Sequence, residues 1–169
     1  MAITYKLIDK TVLTGTQASI TWSSIPQTYT DLKVICSVRT NGGSSWQNTY
    51  VRFNGSTTDY YNRFLQGSGS GVGSGTAGGG MLGDLIQNAQ QASTFAVADT
   101  YIPQYTTSSN YQPFSGEGVA DVNTATSYQQ INSNNWAVAT AITSITVIPN
   151  NGDSWVQYST FYLYGITKA

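Results

Sequence analysis

Along this chain, apolar and polar residues alternate in short runs separated by turn signals. Ala18, Ile20 and Trp22 share one side of an extended segment, with Ser19 and Thr21 on the other. Residues 31–40 repeat the pattern, with Leu32, Val34, Cys36 and Val38 set against Lys33, Ser37 and Arg39. A period of two marks a half-buried strand. Proline lacks a ladder donor, so Pro26, after Ser24-Ile25, stops the earlier run. Asn41-Gly42-Gly43 stops the later one, and the run over 49–53 closes at the tight-turn dipeptide Asn54-Gly55. Further runs cover 5–13, 60–65, 94–101, 114–122, 128–131, 143–148 and 155–166, with Asn150-Asn151-Gly152-Asp153 as the last turn. Helical periodicity is almost missing. The spacing predicts an all-β fold, a sandwich of eight to ten antiparallel strands. Eight such strands in two sheets make a jelly roll. The length of 169 residues suits one domain spanning 1–169.

One segment departs from this rhythm. Residues 67–83 hold nine of the seventeen glycines, interleaved with serine, and predict a flexible inserted loop. Met81, Leu82, Leu85, Ile86 and Ala89 follow at a spacing that fits one face of a short helix, with Asp84 in its first turn. Two readings stand. The helix plugs one open end of the sandwich, or it is an apolar foot that docks on a partner. The Gly-x-Gly-x-x-Gly match within the segment arises because every second residue is glycine. No βαβ unit surrounds it.

Composition narrows the chemistry. The chain has no histidine, Glu117 is its single glutamate, and 9% of its residues are charged, against about 25% in an average domain. It carries twelve Tyr, five Phe and four Trp. Without histidine neither a Ser-His-Asp nor a Cys-His arrangement can be assembled. Zinc would have to rely on Cys36 and carboxylates. Glu117 and Asp121 share a strand face about 13 Å apart at ~3.3 Å per residue, beyond the ~5–9.5 Å of glycosidase pairs. A cross-strand pair using Asp99 stays open. Residues 150–153 offer oxygen atoms for calcium, but their composition is that of a turn. The expectation is a protein without catalysis, metal or cofactor.

Cys36 shares its face with Leu32, Val34 and Val38 and reads as a small buried hydrophobe. The net charge of −1, with seven scattered basic residues, argues against nucleic acid. No apolar run approaches the ~20 residues of a membrane span. The first residues lack the regions of a secretion signal, so synthesis in the cytoplasm is expected. Trp22 reads as core. Trp46 lies in the polar stretch 43–48, and Trp136 follows Asn134-Asn135. Either these two rings serve a glycan or subunit contact, or they fold over a sheet end. The candidate partner-contacting residues are Trp46, Met81, Leu82, Leu85, Ile86 and Trp136.

Read in order, Tyr5-Lys6-Leu7-Ile8, Ala18-Ser19-Ile20-Thr21-Trp22, Arg52-Phe53-Asn54-Gly55, Tyr60-Tyr61-Asn62-Arg63 and Tyr101-Ile102-Pro103-Gln104-Tyr105 carry a resemblance. Its most specific strings are Ser24-Ile25-Pro26-Gln27-Thr28-Tyr29-Thr30-Asp31-Leu32 and Tyr162-Leu163-Tyr164-Gly165-Ile166. The chain resembles small virion proteins of tailed bacteriophages, notably marine and cyanobacterial ones, that coat the capsid or form short fibres. The likeness covers nearly all of the chain outside 67–91. It implies a jelly roll without catalytic or metal residues, assembled as a homotrimer on the particle. It also implies a capsid decoration (cement) protein that bridges subunits of the major capsid protein. The alternative is a fibre module that binds a host receptor or surface glycan.

Overall fold

The computed structural model describes residues 3–43, 46–69, 71–86, 93–121 and 127–168; the side chains of residues 3, 46, 47, 84–86, 121 and 168 lie outside it. The first six strands are β1 (Ile3–Val12), β2 (Ile20–Trp22), β3 (Asp31–Val38), β4 (Trp46–Phe53), β5 (Tyr60–Ser68) and β6 (Gly71–Gly75). The other six are β7 (Gly80–Ile86), β8 (Ala96–Ile102), β9 (Gln112–Asp121), β10 (Ser127–Trp136), β11 (Ile145–Pro149) and β12 (Thr160–Lys168). They form an eight-stranded sheet in the order β1-β12-β3-β8-β9-β10-β5-β6 and a four-stranded sheet in the order β2-β11-β4-β7. Neighbouring strands are antiparallel throughout. The fold is an all-β sandwich, and the described residues contain no helix.

Four of the pairings are nested, β1 beside β12, β2 beside β11, β3 beside β8 and β4 beside β7, while β5 beside β10 breaks the nesting. Tight turns connect the layers. At Asn54-Gly55, φ values of 51° and 74° bring Ser56 N–H to Phe53 C=O at 2.9 Å, and the chain passes from the four-stranded to the eight-stranded sheet. Asn151-Gly152, at φ 57° and 77°, makes the expected turn after β11. Asn and Gly tolerate this left-handed backbone better than other residues do.

Alternation sorts the side chains as the sequence predicted. Leu32, Val34, Cys36 and Val38 of β3 are all fully buried, and Trp22, Ile145, Val147, Val51 and Phe53 of the other sheet join them in one hydrophobic cluster. Further along the larger sheet the inward residues become polar. Gln130, Asn132 and Asn134 of β10 are buried, as is Asn62 of β5. The predicted run over 128–131 ended where this asparagine series begins, but the strand continues to Trp136. The reason lies in what the asparagines hold. Asn134 accepts from Met81 N–H at 2.9 Å through Oδ1, and its Nδ2 donates to Asn132 Oδ1 at 2.6 Å. Thr49 Oγ1 donates to Gly83 C=O at 2.7 Å. The Asn134 amide and the Thr49 hydroxyl thus satisfy backbone groups of β7 that burial would otherwise leave unpaired.

The glycine-rich segment is a second correction. It holds β6 and the start of β7, so the sandwich has twelve described strands where eight to ten were expected. Small residues are needed there for close approach. A Cβ on Gly80 would stand 2.8 Å from the Tyr60 ring, and one on Gly83 would stand 3.0 Å from the Cα of Gly118 on β9.

The two strings that carry the resemblance meet in space. The Tyr29 ring lies over Gly165, where an added Cβ would fall 2.3 Å from ring carbon Cγ. Thr30 N–H donates to Ile166 C=O at 2.8 Å. Both strings therefore have a packing role at one end of the sandwich.

Candidate contact surface

The residues predicted to contact a partner divide into two groups. Met81 and Leu82 are fully buried in β7, and Trp136 is 2% exposed. None of these three is available to a partner. Trp136 closes β10 inside an aromatic cluster, its ring centroid 5.6 Å from Phe53 and 6.2 Å from Tyr60, while Phe114 lies 5.0 Å from Phe53. Tyr60 Oη accepts the Phe53 N–H at 2.7 Å, tying the cluster to the backbone. Burial pushes the Tyr60 hydroxyl up to about 12. The polar neighbours Asn134 and Asn135 suggested a loop at Trp136, but Asn134 turns inward onto β7 and the tryptophan follows on the same inner face.

Leu85 and Ile86 belong to β7, paired with Gln47 and Trp46 of β4, so the helix expected over this stretch is replaced by a strand. The side chains of Trp46, Leu85 and Ile86 lie outside the described residues. A run buried on both sides, as at Met81-Leu82, has no alternation to distinguish strand from helix. That is why spacing misled here.

The accessible apolar residues lie elsewhere, on the outward face of the eight-stranded sheet. Tyr5, Leu7, Tyr61, Leu65, Val72, Val97, Val119 and Ile131 are exposed there, Val72 at 94%. Register sets two pairs of them side by side, Leu65 with Ile131 and Val97 with Val119. Ile35, Asp99, Glu117, Ile131 and Leu65 form one row across five strands, and Val97 faces Val119 in the next. An open groove of about 570 Å³ runs beside Leu65, Val72 and Ile131. A second, about 660 Å³, is more polar and is bounded by Tyr61, Arg63, Ser133 and Asn135. The signal was present in the sequence: Val97, Val119 and Ile131 occupy the off-core parity of alternating strands, where a solvated face usually carries polar residues.

The same face carries the cross-strand carboxylate pair that the sequence left open. Asp99 stands directly opposite Glu117 on adjacent strands. Opposed residues have Cβ atoms about 5 Å apart. Lys33 Nζ reaches Asp99 Oδ2 at 2.8 Å, so Asp99 is held as a counter-ion on an open surface. That hydrogen bond, with weaker contributions from the fields of Asp99, Tyr5 and Glu117, raises the Lys33 pKa against the opposing cost of partial burial. Nearby, Tyr101 Oη donates to Asp31 Oδ2 at 2.8 Å and Gln104 N–H donates to Oδ1 at 2.9 Å. Burial, followed by the Asp31 hydrogen bond, pushes the Tyr101 hydroxyl up to about 12.

No family model, curated protein or solved structure matches the chain. The functional reading therefore rests on the surface itself. Among the described residues no group of three His, Cys, Asp or Glu side chains is placed to hold a metal ion. Asn150 C=O accepts the Asp153 N–H at 3.2 Å, which makes residues 150–153 a turn closed on itself. Cys36 is fully buried, and burial drives its thiol pKa well above the ordinary range, so it stays a protonated apolar side chain.

Proposed function

We propose that this protein is a structural component of a virion, a capsid decoration (cement) protein that binds the major capsid protein across subunit junctions and acts by contact without catalysis. The observation that carries the reading is the outward face of the eight-stranded sheet, where apolar and aromatic side chains from β1, β5, β8, β9 and β10 are exposed together. Exposed apolar area of this kind marks a protein-contacting surface. The four nested pairings support reading the sandwich as a jelly roll, the fold that the phage resemblance implies. Low charge and many tyrosines suit subunit contacts. Assembly as a homotrimer on the particle surface, after synthesis in a host cytoplasm, belongs to the same proposal. Binding the closed shell and not its separated subunits adds free energy to the assembled state.

The test is reconstitution. Purified protein is added to capsids that lack it, and binding and heat resistance are measured. The proposal expects saturable binding and a higher disruption temperature, both lost in the Val119→Lys, Ile131→Lys double variant. Capsids left unbound by the wild-type protein would refute it.

The alternative, a module that binds a host surface glycan, is favoured by the polar groove, where Tyr61 is 66% exposed beside Arg63 and Asn135. An aromatic ring flanked by amides and a guanidinium is the chemistry that stacks and hydrogen-bonds a sugar. It predicts polysaccharide binding that disappears in Tyr61→Ala and leaves capsid binding unchanged.

A further inference from the structure

We infer that β6 is a self-association edge, along which two copies of this chain pair antiparallel and join their eight-stranded sheets. The proposal is independent of the virion reading. An edge strand presents a row of unpaired N–H and C=O groups, and proteins guard such rows against their own copies with charge, bulges or short strands.

Among the described residues, three of the four sheet edges are protected in such ways. β1 carries Lys6, Asp9 and Lys10, and its register shifts between Leu7 and Asp9. β2 has three residues. β7 contains Asp84, and its backbone is covered by β9 and β10 at Gly83 and Met81. β6 has none of these devices. Its sequence is Gly71-Val72-Gly73-Ser74-Gly75, and no charged residue occurs anywhere from Phe64 to Gly83.

The strand is also well shaped for a second copy. Isologous antiparallel pairing sets residue i of one copy against residue j of the other, and like against like only at the axis; with no charged residue on β6, no register brings like charges together. Glycine and serine allow two backbones to approach without side-chain conflict. Gly75 lies so close over Phe64 that an added Cβ would stand 2.9 Å from the ring, which fixes the position of the strand on its own sheet. Val72, 94% exposed, stands at the rim of the groove with Leu65 and Ile131. Continuing the sheet across a two-fold axis brings Val72 of each copy close to that of its partner, and buries apolar surface that is otherwise in water.

Sedimentation equilibrium of the full chain across a wide concentration range tests this. The expected result is a species of twice the mass of the smallest one, growing with concentration. Val72→Lys and Ser74→Lys, each adding a positive charge to both strands within a few residues of the axis, are expected to weaken the doubling at least tenfold. Both sites are exposed, and an unchanged circular dichroism spectrum verifies the fold. A wild-type protein that never doubles in mass overturns the proposal, as does doubling that persists in either variant.

Discussion

Gly165→Ala adds one methyl group at the point where the two most specific strings of the sequence meet. The new Cβ would stand 2.3–2.5 Å from the Tyr29 ring carbons Cγ, Cδ2 and Cδ1. Carbon atoms rest at about 3.5–4.0 Å, so the ring must retreat by roughly 1.2 Å or more. It has little freedom to do so. Tyr29 packs against the core, and the next residue is bound to Ile166 C=O at 2.8 Å. Over-packing of this kind costs about 1–3 kcal/mol, and the rigid neighbours place this site near the upper end. Urea unfolding followed by tryptophan fluorescence is the assay. A companion Tyr29→Ala variant removes the obstacle, so the double variant is expected to be more stable than the sum of the two single effects predicts, by about 1 kcal/mol or more. Gly165→Ala with stability within about 0.5 kcal/mol of wild type would show that the ring is not locked over the glycine. Strict additivity in the double variant would refute the contact as the cause.

Other expectations follow from burial. Trp136→Ala should lose about 3–5 kcal/mol in the same unfolding assay, because it empties an aromatic cluster; a fully stable variant that lost only ligand binding would contradict the core assignment. Cys36 should react with a thiol reagent in the native protein roughly a hundredfold more slowly than in denaturant, since a buried protonated thiol must await opening of the fold. Tyr60 has a folded pKa of about 12, above its ordinary value near 10. Its contribution is therefore complete below pH 10 and is lost as pH rises through 12, a fall of about 2 kcal/mol. Tyr101, also raised to about 12, adds in the same direction. Urea midpoints that stayed flat from pH 9 to 12 would contradict both assignments, and Tyr60→Phe should reduce the slope.

Much of the fold was legible in the sequence because strand alternation is local. Leu32, Val34, Cys36 and Val38 declared a buried face through their spacing alone, and Asn54-Gly55 and Asn151-Gly152 declared turns through their tolerance of positive φ. The all-β class, the buried thiol and the core position of Trp22 needed no tertiary information. The remaining features depended on what lies opposite. Met81 and Leu82 are both buried because β7 is covered on two sides, so their run lost the period of two and matched a helix by coincidence. The glycines of 67–83 looked like slack, yet rings and a facing backbone leave no room for a side chain at Gly75, Gly80 and Gly83. Asn134 looked like a loop residue until β7 supplied the Met81 amide and carbonyl it binds. Trp136 depended on it in turn. The contact surface emerged only when register set Val97 opposite Val119 and Ile131 opposite Leu65. A residue's parity is written in its own strand, but a face belongs to many strands, and only the assembled sheet decides which side meets water.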